Sequence, residues 1–394
     1  MRQGWRTKRL GDVCEIVKVK CMRPQMPYVG LEHIESHTAR FIGAIDPQTV
    51  KSSTFGFSRD HVLYGRLRPY LNKVVAPDFE GHCSTEIFPI KPGSELSREY
   101  LLYWFLAGET VDRINATCTG ARMPRADMND VLEFEFPLPP FSEQQRIVTI
   151  LDEAFDGIAV AKAKTEKNVE NARDLFESYV QSIFSNRGKG CVEKPLGEVC
   201  DLLNGFAFKS TDAVPKSQTQ LIRMGNLYGN RLSLDRSAVF YPDKFAVEFK
   251  KYLLNQGDLI MSLTGTTGKE DYGYAVRIPD CGHNLLLNQR IAKFDSIRQD
   301  LVIPNYLTYY LRSRVFLDML YPTARGTRQA NLSSVTIKAL PIPLWPPRDQ
   351  ERTVSALDEM EGKSRRLESM YQQKLSALEA LKKSLLHQAF SGAL

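Results

Sequence analysis

Leu138-Pro139-Pro140-Phe141-Ser142-Glu143-Gln144-Gln145-Arg146-Ile147-Val148 decides how this chain is read, because it opens a long helix and it has a counterpart. The proline pair ends an extended segment. Ser142 then offers an N-cap oxygen, and Gln145, three residues on, can reach back as in a capping box. The counterpart is Pro346-Pro347-Arg348-Asp349-Gln350-Glu351-Arg352, with Asp349 as the candidate N-cap. Working outward from these two helix starts, matches continue in register. Gly120, Arg122, Leu151-Asp152-Glu153, Phe184 and Ser185 recur as Gly326, Arg328, Leu357-Asp358-Glu359, Phe390 and Ser391, each displaced by 206 positions (326 − 120). A register kept from a globular segment to the end of a helix marks an internal duplication, with a period far beyond the roughly 20–50 residues of solenoid repeats. Each copy is expected to be a lobe followed by an arm: lobes over 1–141 and 188–347, long helices over 142–187 and 348–394.

The arms carry heptad spacing. In the first, Ile147, Leu151, Ala154, Ile158, Ala161, Thr165, Asn168, Ala172, Leu175, Tyr179 and Ile183 follow in alternating steps of four and three, which keeps one seam facing a partner helix. In the second, Leu357, Met360, Leu367, Tyr371, Leu378, Leu381 and Leu385 form the matching seam. Because the chain returns through a globular lobe, the helices are expected to pair antiparallel. Arms of about 45 residues at 1.5 Å per residue are roughly 68 Å long, more than a core helix requires. Thr165, Asn168, Ser364 and Lys374 weaken the middle of the seam, where specifying register or binding other subunits competes with stability.

Each lobe opens with a Leu-Gly-acid-Val-Cys string, Leu10 to Cys14 and Leu196 to Cys200. Short strand-like runs follow at Pro27 to Leu31, His61 to Tyr64, Leu221 to Met224 and Asp258 to Ser262, broken often by glycine and polar clusters. Helices are expected over Glu99 to Leu106 and Asn305 to Leu311. There Tyr100 and Tyr103 match Tyr306 and Tyr309, and the three-residue spacing favours a core face. A basic glycine loop and a strand, Leu132 to Leu138 or Ile337 to Leu344, complete each lobe. The fold class expected is α+β: two similar strand-rich lobes separated by two long antiparallel helices forming a coiled coil.

With 394 residues, 43% hydrophobic and 25% charged, the chain has the composition of a globular protein with room for two or three cores. No apolar run reaches the roughly 18–20 residues needed to cross a bilayer, and Met1 to Trp5 does not open a signal peptide, so a cytoplasmic protein is expected. Seven cysteines, none in a CxxC, read as reduced structural thiols, with a metal or disulfide site as the alternative. The net charge of +6 is concentrated in 188–347, which carries 20 basic and 14 acidic residues, a balance that permits a polyanionic partner.

Catalytic motifs are missing. Leu138-Pro139-Pro140-Phe141 has leucine where an amino-methyltransferase needs an amine acceptor. Gly265-Thr266-Thr267-Gly268-Lys269 lacks the spacing and the hydroxyl of a phosphate loop. No HExxH, paired zinc ligands or Gly-x-Gly-x-x-Gly is present, and His33 beside Glu32 reads as structural. No catalytic residue and no metal ligand is assigned.

Taken together, the repeat, the Leu-Gly-acid-Val openings, the helix start at 138–148, the terminal Phe-Ser, the Gly257-Asp258-Leu259-Ile260-Met261-Ser262 string with its echo at Asp60 to Gly65, and Gly65-Arg66-Leu67-Arg68-Pro69-Tyr70-Leu71 resemble a specificity subunit of a type I restriction-modification system. The resemblance covers the whole chain. It departs at His61, where the string usually has Asp, and in the start of the second long helix. It implies a non-catalytic subunit whose two target-recognition domains each read half of a bipartite sequence in double-stranded DNA, with the paired helices as spacer. It also implies two methyltransferase subunits clasping the helices and restriction/translocase subunits outside. S-adenosylmethionine, ATP and magnesium then belong to the partners and not to this chain.

The expected DNA contacts are loop donors on equivalent turns: Arg66, Arg68, Tyr70, Asn72 and Lys73 in the first lobe, Thr264, Thr266, Thr267, Lys269 and Tyr272 in the second. Arg122 and Arg125, and Arg325, Arg328, Gln329 and Asn331, lie on the matched glycine loops. Arginine bridges guanine and Asn or Gln bridges adenine, although phosphate contact is the commoner use of a loop arginine. Two other readings stand beside this one: a self-sufficient methyltransferase or nuclease, and a coiled-coil protein-binding scaffold without DNA specificity.

Overall fold

A computed structural model describes residues 4–21, 25–46, 50, 52–120, 122–188 and 190–394. The chain divides into two compact units, Met1–Lys167 with Tyr371–Leu394, and Asn168–Met370. The long helices run Phe141–Ser185 and Pro347–Ser391, so each begins in one unit and ends in the other. They start at Phe141 and Pro347, slightly ahead of the caps expected at Ser142 and Asp349, because the carbonyls of Pro140 and Pro346 accept the first helical N–H groups, and Pro347 at the first position lacks only an N–H that would have had no partner.

In the first unit one antiparallel sheet has the order Cys14–Ile16, Ile87–Pro92, Val62–Gly65, Val74–Val75. A second sheet has the order Lys20–Cys21, Thr54–Phe57, Gly81–Ser84, Tyr28–Val29, with the last pair parallel. In the second unit the first of these sheets recurs as Asp201–Asn204, Ile291–Asp295, Leu259–Ser262, Ala275–Arg277. The other sheet keeps its three-strand centre as Leu253–Leu254, Asn284–Leu287, Thr219–Ile222, the last pair again parallel. Its fourth strand, Phe240–Tyr241, is added beside Thr219–Ile222, at the edge opposite to the one that Lys20–Cys21 extends in the first unit. Each lobe is tied to its own long helix by a two-stranded ribbon, Arg6–Arg9 with Glu135–Leu138 and Val192–Pro195 with Pro341–Leu344. Ile337, expected in that second strand, instead lies in a helix, Ser334–Ala339, and Leu340 separates it from the strand.

The core of the first lobe packs Tyr100, Trp104, Phe105 and Phe136 against Ile147 and Leu151 of the first long helix and Leu386 and Ala389 of the second. The second lobe does the same with Tyr306, Tyr310 and Ile342 against Leu357 of the second helix and Val180 and Phe184 of the first. Tyr100 and Tyr306 are fully buried, as their shared face implied. Cys14 and Cys200 are buried thiols that donate to Leu10 O at 3.3 Å and Leu196 O at 3.4 Å, and burial pushes both up to about 12.

Within each unit the helices pair antiparallel. Lys162 meets Glu379 in the first, and in the second Ser364 Oγ donates to Ala172 O at 2.7 Å while Arg173 pairs with Glu368. Ile147, Leu151 and Leu357 are fully buried in lobe cores, and Ile158, Tyr179, Ile183, Met360, Tyr371, Leu378 and Leu385 are half-buried along the pairing. Leu175, Leu367 and Leu381 are not in the seam: they are 54%, 37% and 48% exposed. Their neighbours Phe176, Glu368 and Lys382 turn inward instead. The heptad template drifts by about 20° per repeat against a straight helix, and after Thr165 the buried positions advance as Val169, Ala172, Phe176, Val180 and Phe184.

At the start of each long helix a glutamine is sealed inside. Gln144 Nε2 donates to Glu95 O (2.8 Å) and Pro139 O (3.0 Å), and its Oε1 accepts from Ser97 N at 2.8 Å. Gln350 repeats the clamp on Leu301 O (2.8 Å), Trp345 O (2.7 Å) and Ile303 N (3.0 Å). Replacing Gln144 with Leu strands three backbone groups, and since each buried orphan costs about 1–3 kcal/mol, a loss of at least about 3 kcal/mol from the first lobe is expected in denaturant unfolding. A change below about 0.5 kcal/mol would show that the clamp is incidental.

Candidate nucleic-acid interface

In each lobe the turn after the central strand and the glycine loop, distant in sequence, come together. In the first, Leu67 bridges Arg125, Arg68 N donates to Pro124 O (2.7 Å), and Ala126 N donates to Arg66 O (2.9 Å). In the second the contact is a full ribbon, Thr264–Thr266 with Gln329–Asn331, extended by Thr267 Oγ1 on Gly326 O at 3.2 Å. Gly326 needs its φ of 124°, since a Cβ there would sit 2.0 Å from Gln329 O.

The expected donors sort by what they touch. Arg68 and Asn72 bracket the Pro69–Leu71 turn in left-handed backbone, φ 51° and 41°, and this holds Arg68 and Tyr70 out in solvent. Asn72 is not on the surface: it is fully buried and its Nδ2 donates to Phe105 O at 3.0 Å, so it serves the turn and not a base. Lys73 reaches back to Leu31 O at 2.7 Å. Arg66 and Arg125 share one acid, Glu86, through Arg66 Nε (3.1 Å) and Arg125 Nη2 (2.7 Å), and Arg66 also lies over the Phe88 ring at 4.9 Å. Arg122 is exposed.

In the second lobe Thr264 is buried with its hydroxyl on Met224 Sδ at 3.1 Å, and Tyr272 is buried edge-on against Tyr321, so neither is a surface donor. Thr266 gives its N–H and Oγ1 to Asp271 at 2.7 and 2.8 Å. Gln329 is half-buried, and Asn331 donates to Gln329 O at 2.9 Å. Thr267, Lys269, Arg325 and Arg328 are exposed. Arg68, Arg122, Lys269, Arg325 and Arg328 take part in no ion pair among the described residues, which leaves them as the cations open to a phosphate or a base edge. The 265–269 segment is poorly set to cradle a nucleotide phosphate, because the N–H groups of Thr266, Thr267 and Lys269 are already donated to Asp271, Arg328 O and Thr266 O.

Two features lay beyond sequence reasoning. Glu86 carried no signal, since an acid opposing two expected DNA contacts shows only once the loops meet. Tyr228, 55% exposed, packs tilted against Tyr274 with ring centres 5.1 Å apart and has the Arg236 guanidinium 5.1 Å from its ring, on a turn whose Asn230 Oδ1 accepts from Ala275 N at 2.9 Å. The Gly229-Asn230 pair, both at positive φ, was its available sign.

Comparison with known proteins agrees with this architecture. The family model for the type I restriction modification DNA specificity domain matches residues 2–171 and again 189–377, and the chain belongs to that family. It is 29% identical over 188 residues to the type I restriction enzyme EcoDI specificity subunit of Escherichia coli, covering 47% of this chain and 41% of that one. It is 28% identical over 165 residues to the EcoAI specificity subunit of the same organism, covering 42% and 27%. The aligned part is thus less than half the length of either relative. In fold it is similar to the HsdS subunit from Thermoanaerobacter tengcongensis (TM-score 0.62, 20% identity, 100% and 98% coverage). It is also similar to a chain solved for the structural basis of complex assembly and conformational transition of the type I R-M system (TM-score 0.83, 21% identity, 100% and 99% coverage). No helix among the described residues is long and apolar enough to cross a membrane.

The Arg125 and Arg66 guanidinium groups outweigh partial burial and hold the Glu86 carboxyl below the usual range. A carboxyl whose folded pKa is depressed stabilises above its unfolded pKa and loses that contribution as pH falls through the folded value. The stability difference between the native chain and Glu86→Gln is therefore expected to be full at pH 7 and to close below about pH 4. A difference that does not change between pH 7 and 3 in urea titrations would remove the ion pairs from the account.

Proposed function

We propose that the chain is the sequence-reading subunit of a type I restriction-modification complex, each lobe reading one half of a bipartite site in double-stranded DNA. The observation that carries this is the joining, in both lobes, of two loops that leave unpaired cations outward on a sheet-supported turn. Phosphate contacts by Arg68, Arg122, Lys269, Arg325 and Arg328 position the duplex, and neighbouring polar loop atoms read base edges. The protein carries no catalytic residue of its own in this reading. S-adenosylmethionine, ATP and magnesium act in the methyltransferase and restriction/translocase subunits that assemble with it, and the paired helices dock the two methyltransferase subunits and fix the spacing of the half-sites.

The test is to map methylated sequences in cells that hold the chain and its methyltransferase partner, before and after replacing 192–347 with the same region of a relative. One half of the motif changes, while the other half and the number of bases between them stay constant. Change in both halves would deny independent readers, an altered spacing would deny the helices their role, and methyl transfer by the purified chain alone would make it an enzyme.

A further inference from the structure

One cluster in the first unit serves neither the turn cations nor the core. Lys382, on the inward face of the second long helix, donates from Nζ to His37 O at 3.0 Å and lies over the Phe155 ring at 5.0 Å. Its charged neighbours are Arg40 and Lys162, with Glu35 as a weaker opposing charge, and His37 also feels Lys383. Lys162 has Glu379 at 3.8 Å, a solvent-exposed pair. Burial and these like charges lower the Lys382 pKa, so the group is held where its charge is disfavoured.

Packing does not demand this arrangement, as the second copy shows. The positions 206 away from Lys382, Lys162 and Lys383 are Phe176, Glu368 and Glu177. Phe176 packs beside Tyr309 with ring centres 6.3 Å apart, and Glu368 pairs with Arg173 at 3.3 Å. The duplicated joint is therefore stable with an aromatic ring and acids in these places. Like charges gathered where the other copy has a ring and acids are a local departure from the duplicated pattern, and such departures are expected at functional sites.

The neighbourhood says what the cations face. His37 N donates to Asn72 O at 3.0 Å, so the cluster adjoins the turn that presents Arg68 and Tyr70. We propose that Arg40, Lys162 and Lys382, flanked by Lys383 and His37, form a seat for the phosphodiester backbone of duplex DNA beside the half-site read by the first lobe. The seat adds affinity without sequence information, and only the first half-site has one. This rests on the reading of the chain as a DNA-binding subunit.

The test uses the full chain assembled with its methyltransferase partner and duplexes with and without the target. Lys382→Met keeps the apolar stem on Phe155, and Arg40→Gln and Lys162→Gln remove the other charges; the triple variant K382R/R40K/K162R retains all three. The neutral triple is expected to bind both duplexes more weakly by similar factors, to lower the slope of log affinity against log salt by about three, and to methylate the same sequence. The charge-retaining triple restores the slope. An intact complex of the neutral triple with wild-type affinity and slope overturns the proposal alone. So does loss of the methyltransferase subunit with no change in slope, which makes the cluster a seat for an acidic protein segment. Absence of salt-dependent duplex binding by the wild-type complex overturns the DNA-binding reading, and this proposal with it.

Discussion

Each lobe is closed by a phenylalanine from the end of the helix that began in the other copy. Phe390 meets Tyr100 with ring centres 5.1 Å apart, and Phe184 meets Tyr306 and Tyr310 at 5.3 and 5.4 Å. Phe184 is fully buried and Phe390 lies against the first lobe's core. Removing a buried phenylalanine costs about 3–5 kcal/mol, a large part of a domain's stability, so neither lobe has its full core without both helices in place. Tyr103 and Tyr309 reinforce the joint by donating their hydroxyls to Asp152 and Asp358, the same residue of the repeated Leu-Asp-Glu string. The two loops that join in each lobe thus rest on sheets whose support depends on the duplication itself.

That dependence explains which parts of the fold were legible. The matched glycines, tyrosines and phenylalanines are legible because they do the same work twice, and a fixed displacement of 206 exposes them without knowledge of contacts, whereas the clamp glutamine is not read from the capping pattern: that pattern points to Gln145, and it is Gln144 that is sealed inside. The seam was legible throughout the first helix to Thr165 and only in part beyond it, where Ala172, Tyr179 and Ile183 still face the pairing. Beyond it an alternating step selects Leu175 and, in the partner helix, Leu367 and Leu381, whereas the helices keep closer to 3.6 residues per turn and bury Phe176, Glu368 and Lys382. Hydrophobicity misled here, because two of the inward residues are charged. At the candidate interface, sequence named the loops but not the direction of their side chains. Asn72 and Tyr272 sit among exposed donors in sequence and inside the protein in space, since one completes a strained turn and the other fills the gap beneath Tyr321.

Apart from the exchange of Lys382, Lys162 and Lys383 for Phe176, Glu368 and Glu177, the differences between the copies lie away from the closing phenylalanines. The fourth strand of the smaller sheet is added at opposite edges, the loop contact is a single bridge in one lobe and a ribbon in the other, and Glu86 balances two arginines only in the first. Shared framework and divergent rim suit two readers of different half-sites, because base contacts come from rim residues while the framework fixes where the rim stands.

The central claim is the reciprocal closure of the cores, and hydrogen exchange on single variants tests it most directly. Phe390→Ala, although near the second lobe's own helix in sequence, is predicted to speed exchange in Arg98–Leu106 of the first lobe and to leave Pro304–Arg312 unchanged, with Phe184→Ala giving the reverse. Faster exchange in Pro304–Arg312 on Phe390→Ala, with Arg98–Leu106 still protected, would contradict it.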